Sequence, residues 1–362
     1  MNRTSLVLAA AMMLLTAACS SPAKEKEKSS PADAGKAEVK KPQNPYAGLV
    51  PTEIGKHAQA ALHVAYSADG SLLLSTGKDR LIKLWDVAQG KLLREFKGHT
   101  DDVMMADFSP DGRLLVSASK DQTVRVWEVA SGKQRKLFKD RPPKKMTEEE
   151  EQAFARQPPP LMNWAAFSPD GKSVITASDN FSLKLWDLAS GKAKVVFRDD
   201  GCRQRRVYRR QDAPGWVSSA GCMDDGVSYL KFWDEAGNLV NQQGDENHDA
   251  HFLAFDGANR FIVTADGSVS FSVYSGQGSY LKRIMVGAYH FCVAFGFQDK
   301  TLLVGADNGY VYVYRPVSWQ RVGKLDVGSR AAIDCLAVHP TNGTVALALR
   351  DGKILTYSTP IE

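Results

Sequence analysis

HTDDVMMADFSPDGRLLVSASKDQTVRVWEVASGK, residues 99–133, holds the pattern that decides the fold. An apolar run ends at Asp107-Phe108-Ser109-Pro110-Asp111-Gly112, a second run follows, a third closes on Val126-Trp127-Glu128, and Ala130-Ser131-Gly132-Lys133 announces a fourth. Asp-Gly is a tight-hairpin signal, and no helical period links the runs, so the stretch predicts short antiparallel strands. The same punctuation stands before it, in Ala65-Tyr66-Ser67-Ala68-Asp69-Gly70, and after it, in Ala166-Phe167-Ser168-Pro169-Asp170-Gly171.

One aromatic slot recurs along the whole chain: Leu84-Trp85-Asp86, Val126-Trp127-Glu128, Leu185-Trp186-Asp187, Phe232-Trp233-Asp234, then Val273-Tyr274, Val313-Tyr314 and Thr356-Tyr357. Successive aromatics lie 42, 59, 47, 41, 40 and 43 residues apart, near the length of one four-stranded propeller blade, and the two long intervals carry visible insertions. Blades pack face against face, so both faces of a strand are buried; this accounts for near-continuous apolar runs such as Leu302 to Ala306. The last unit supplies three strands, and Tyr46 to Gly55 stands where a fourth would come from. The expectation is an all-β, seven-bladed β-propeller of four-stranded antiparallel blades, closed by an N-terminal strand that completes the last blade.

These residues resemble the WD-repeat family from about Tyr46 to the end, most closely in the first three units. The resemblance implies a buried hydrogen-bonded tetrad: His57, Ser75, Asp79 and Trp85 in the first blade, His99, Ser117, Asp121 and Trp127 in the second. The third keeps Thr176 and Trp186, has Asn180 in the Asp slot and lacks the His. Aspartate orients the imidazole, the imidazole meets the hydroxyl, and the indole N–H finds an acceptor, so the polar groups satisfy one another. Ser, His and Asp are also the members of a catalytic triad, but their repetition in two blades with a Trp as fourth member favours bracing. Later units put Tyr in the Trp slot and keep the turns Asp266-Gly267, Asn308-Gly309 and Asp351-Gly352.

Ahead of the repeats, Arg3 and an uncharged apolar run from Leu6 to Ala18 read as a targeting segment too short for a permanent span. The run ends in Leu15-Thr16-Ala17-Ala18-Cys19, which resembles the lipobox of bacterial lipoprotein signals, with Thr16 where Leu is usual. The resemblance implies removal of residues 1–18 and acylation of Cys19; with Ser20 next, it also implies placement in the bacterial envelope at the periplasmic face of the outer membrane. Ordinary secretion with a coincidental cysteine is the other reading. Residues 19–45, rich in Lys, Glu, Ser and Pro, bury too little to order themselves and are expected to form a tether to a propeller over 46–362. A net charge of +5 on 362 residues, with both signs interspersed, does not announce nucleic acid as a partner, and the secretion signal argues against one.

Function is expected in residues the repeat does not need. Residues 139–160 form an insertion that, by the WD-repeat resemblance, projects from the upper, partner-binding face; there Thr147 with Glu150 makes a capping box and Pro158 a stop, predicting a two-turn helix. Its candidate contacts are Glu148, Glu149, Glu150, Glu151 and Phe154; a solvated acidic loop is the alternative. Arg203, Arg205, Arg206, Arg209 and Arg210 fall on the expected innermost strand of the fourth blade, where alternation sends some toward the channel and others into a blade interface or onto its rim; they are fit to hold a carboxylate, a phosphate or an acidic segment, or to form a solvated rim. Cys202 and Cys222 flank them as a candidate disulfide, while Cys292 and Cys335 read as buried thiols. His63, His248, His251, His290 and His339 share no repeat position or ligand spacing, and no phosphate loop, nucleophile elbow or carboxylate pair stands out. No metal, cofactor or catalytic residue is therefore expected. The expected function is a membrane-anchored, non-enzymatic scaffold for a protein or peptide. The alternatives are an enzyme or small-ligand or cofactor binder in the central channel, and an accessory lipoprotein of envelope assembly.

Overall fold

A computed structural model describes residues 44–139, 161–198, 202–210, 213–222, 227–245, 252–265 and 267–357. The targeting run, Cys19, most of the tether and the helix expected at Thr147 lie outside the described residues. Those described form seven four-stranded antiparallel sheets. Six take their strands in chain order; in the seventh, Thr52–Lys56 pairs with Lys353–Tyr357, so the first strand completes the last blade as expected. The second blade, Val103–Phe108, Leu114–Ser119, Thr123–Glu128 and Gln134–Lys139, is the pattern of the opening stretch realised.

Local chemistry sets the hairpins. Gly112 takes φ +69°, which an L side chain resists. The Ser109 hydroxyl donates to Asp111 at 2.6 Å and accepts the Leu114 N–H at 2.9 Å. Ser67 with Asp69 and Ser168 with Asp170 repeat that bond at 2.6 Å, so each turn is held by its own side chains.

Apolar side chains then fill the space between sheets. Leu74, Ile82, Leu84 and Phe96 of the first blade pack with Val103, Phe108, Leu115 and Trp127 of the second. Outer strands offer a Phe to the next blade's Trp: ring centroids are 5.9 Å apart for Phe96 and Trp127, 5.3 Å for Phe138 and Trp186, and 5.7 Å for Phe197 and Trp233. Burying one such ring contributes roughly 1.5–3 kcal/mol relative to exposure. At the closure the residue facing Trp85 is Gly55, where a Cβ would lie 2.2 Å from the ring, so the closing strand seats only because that side chain is missing.

Candidate functional site in the central channel

The tetrads lie inside blades. His57 reaches Asp79 and Ser75 at 2.8 Å each, and Trp85 Nε1 donates to Ser75 at 2.8 Å. His99 reaches Asp121 and Ser117 at 2.8 Å, and Trp127 donates to Ser117 at 2.9 Å. Burial lowers the pKa of His99, with Asp121 partly opposing the shift. Burial would raise Asp121, but bonds from His99, Thr123 and the Thr100 N–H outweigh it and hold the carboxyl well below its ordinary range. The third blade keeps the Trp186 to Thr176 bond at 3.1 Å, and the fourth has a Trp233 to Ser218 bond at 2.9 Å. Ser75 and Ser117 have no accessible surface, so neither faces a cleft as a nucleophile must.

What does face open space is the ring of innermost strands: Ala61–Tyr66, Val103–Phe108, Met162–Phe167, Cys202–Arg209, Phe252–Phe255, His290–Phe295 and Ile333–Val338. Six of them slip register by one residue, between Ala61 and His63, Val103 and Met105, Met162 and Trp164, Gln204 and Arg206, His290 and Cys292, and Ile333 and Cys335. The skipped residue is a bulge, and a bulge re-aims its side chain. Leu62, Met104, Asn163, Arg205, Phe291 and Asp334, all bulged, line one cavity of about 440 Å³. It opens at the upper mouth, where the chain enters each blade.

One step deeper, the register-equivalent residues are His63, Met105, Trp164, Arg206, Phe252, Cys292 and Cys335. The Arg206 guanidinium lies 4.2 Å from the Trp164 ring centroid and 3.3 Å from that of Phe252. Arg206 and Phe252 border both the upper cavity and a second one of about 440 Å³ below, and so form the waist of the channel. Two residues further along sit Ala65, Asp107, Ala166, Tyr208, Ala254, Ala294 and Ala337. All but Ala166 line the lower cavity.

Electrostatics single out these two deeper levels. Burial pushes the His63 imidazole down to about 3, with the Arg206 charge adding to the effect. Burial pushes the Asp107 carboxyl up to about 6 against one bond from the Phe108 N–H. Tyr208 is raised by burial, with the Arg206 charge and an Arg206 hydrogen bond opposing. Burial raises Cys292 and Cys335, which are free, buried thiols and therefore poor nucleophiles.

The five arginines are not brought together. Arg205 and Arg206 border the upper cavity, and Arg205 approaches Asp179 at 3.8 Å. Arg209 pairs with Glu235 at 2.7 Å, beside Trp216 and the Ser168 to Asp170 turn at the lower face; Arg210 lies over Phe232, and Arg203 sits opposite Gly221. A strand advances about 3.3 Å per residue, so one strand carries such a run across the blade instead of gathering it at one mouth. Cys202 and Cys222, directly paired across the first two strands, are joined by a disulfide. Glu148, Glu149, Glu150, Glu151, Phe154, His248 and His251 lie outside the described residues. Among those described, no three His, Cys, Asp or Glu side chains group as a metal would require. Sequence reasoning passed over Asp107, Trp164 and Tyr208; aligned on the bulge, the alanine column would have exposed Asp107 and Tyr208.

Residues 51–86, 90–128 and 161–187 match the WD40 family model, described as WD domain, G-beta repeat. The chain is similar to the Periodic tryptophan protein 2 homolog of Dictyostelium discoideum, 23% identical over 211 residues that make up 46% of this chain and 23% of that protein. It is also similar to THO complex subunit 6 of Arabidopsis thaliana, 26% identical over 118 residues, 31% of each chain. The chain thus spans 23% and 31% of these two relatives. Three matched repeats, together with four further blades of the same strand order, make this chain a seven-bladed β-propeller that carries WD40 repeats.

Proposed function

We propose that this chain is a tethered, non-enzymatic interaction scaffold: acyl groups on Cys19 hold it at the periplasmic face of a bacterial outer membrane, and the upper face of the propeller takes a protein or peptide. The observation that carries the binding half is the upper mouth. There the bulges turn Leu62, Met104 and Phe291 into a partly exposed apolar set flanked by Arg205 and Asp334, around a hollow of about 440 Å³. Nothing in the repeat needs large apolar side chains at a wetted mouth, and a rigid concave surface of this kind suits one or two anchoring side chains of a partner. The relative named THO complex subunit 6 is, by that name, a component of an assembly, which agrees with such a role.

Met104→Glu with Phe291→Glu is expected to cut recovery of the partner captured on the full chain at least tenfold, about 1.4 kcal/mol or more. Leu239→Glu, on an outer strand where Leu239 is 44% exposed, should leave recovery unchanged. Equal recovery by all three proteins would remove the upper mouth from the reading. The anchoring half rests on the sequence from Leu6 to Cys19 and is tested separately. Metabolic labelling with palmitate is expected to mark the wild type and to vanish in Cys19→Ser, which should leave the membrane fraction. Retained label in the variant would end the lipoprotein proposal and leave the propeller's role untouched.

A further inference from the structure

The lower cavity is where the chain departs furthest from its own repeat. Five blades place alanine at the third channel level, while the second and fourth place Asp107 and Tyr208 there. Around them stand three buried polar atoms without a hydrogen-bond partner: Nδ1 of His63, the hydroxyl of Tyr66 and Nε1 of Trp164. His63 and Trp164 are 7% and 6% exposed, and all three residues border the same cavity. Each such group costs about 1–3 kcal/mol unless something meets it, and the fold does not demand them: other blades fill the level of His63 and Trp164 with Met105, Cys292 and Cys335.

The unmet groups are of both kinds. Burial keeps the His63 ring neutral, so its two nitrogens offer one donor and one acceptor, while the Asp107 carboxylate accepts. The Trp164 indole can only donate, and the Tyr66 hydroxyl does either. A phosphate or simple carboxylate would stand against Asp107. An ammonium would leave Trp164 unmet and face the Arg206 charge at the waist. Hydroxyl groups donate and accept, and they add no charge. Trp164, Tyr208 and Phe255, with successive ring centroids 5.3 and 5.5 Å apart, add apolar faces that suit the C–H surface of a pyranose.

From this arrangement we infer that the lower channel binds a neutral saccharide of one or two rings, its hydroxyls shared among Asp107, His63, Trp164 and Tyr66. About 440 Å³ falls within the range of small-molecule sites. The site lies below the Arg206 and Phe252 waist that it shares with the upper mouth, and it does not depend on the partner binding proposed there. Saturation-transfer NMR on the full chain tests it, with glucose, galactose, N-acetylglucosamine, maltose and cellobiose as probes and with acetate and lysine as charged controls. Transfer to the ring protons of at least one sugar is expected, with its apparent Kd raised about tenfold or more in Asp107→Ala. Asp107→Ala and Tyr208→Ala each restore the residue that five other blades carry, so the blades should stay intact, as a wild-type near-ultraviolet spectrum would verify. The inference is overturned by no transfer to any sugar at about 10 mM, by undiminished transfer in the folded double variant, or by transfer to acetate or lysine alone.

Discussion

Ser117→Ala is expected to lower the unfolding free energy by about 2–4 kcal/mol, read as a fall in the urea midpoint at neutral pH. The Ser117 hydroxyl, fully buried, stands 2.8 Å from His99 Nε2 and 2.9 Å from Trp127 Nε1. Because the Asp121 carboxylate can only accept, His99 carries its proton on Nδ1 and presents a lone pair at Nε2. Ser117 therefore donates to His99 and accepts from Trp127. Alanine strands both, and each buried orphan costs about 1–3 kcal/mol. The third blade supplies the comparison, since Trp186 meets Thr176 at 3.1 Å and no His completes the chain. Thr176→Val should cost about 1–2 kcal/mol there. If the two variants lose the same stability, the tetrad is not the coupled unit described above.

The difference between those blades is legible in the sequence, because tetrad and turns are local signals repeated at fixed spacing. So is closure by the first strand: a blade that ends one strand short must borrow one, and an open edge is costly. The site is not legible in the same way. The five arginines from Arg203 to Arg210 are close in sequence and strand alternation is expected to divide them; which ones share a cavity, Arg205 and Arg206 at the upper mouth, depends on the bulge between Gln204 and Arg206. His63 shares no ligand spacing with other histidines, and its surroundings depend on blades far away in sequence, with the Trp164 ring centroid 5.2 Å from its own. The bulge is the decisive element. It shifts side-chain alternation by one in six innermost strands, so a strict period-two reading sends the channel residues to the wrong side.

The second large effect is a pair of opposed acid responses within the lower channel. Folded His63 titrates near 3, and an unfolded His near 6.5. Between those values the unfolded chain binds a proton the native chain refuses, so His63 removes stability as pH falls from about 6.5 to 3, by at most about 5 kcal/mol. Asp107 acts with the other sign. Its folded value of about 6 lies above the ordinary carboxylate value, so the native chain takes up its proton first and gains up to about 3 kcal/mol as pH falls from 6 to about 4. The wild type should therefore change little between about pH 6 and 4.5 from these two groups, against an acid-labile background from His99 and Asp121 that all variants share. Asp107→Ala removes the compensating partner and is expected to steepen the loss of urea midpoint over that range. His63→Gln removes the opposing one and is expected to flatten or reverse it relative to wild type. Arg206 and Tyr208 remain in place in both variants, so the contrast isolates the two titrations. Three parallel pH profiles would mean that water in the channel already solvates both groups and that neither is held in the state its surroundings imply.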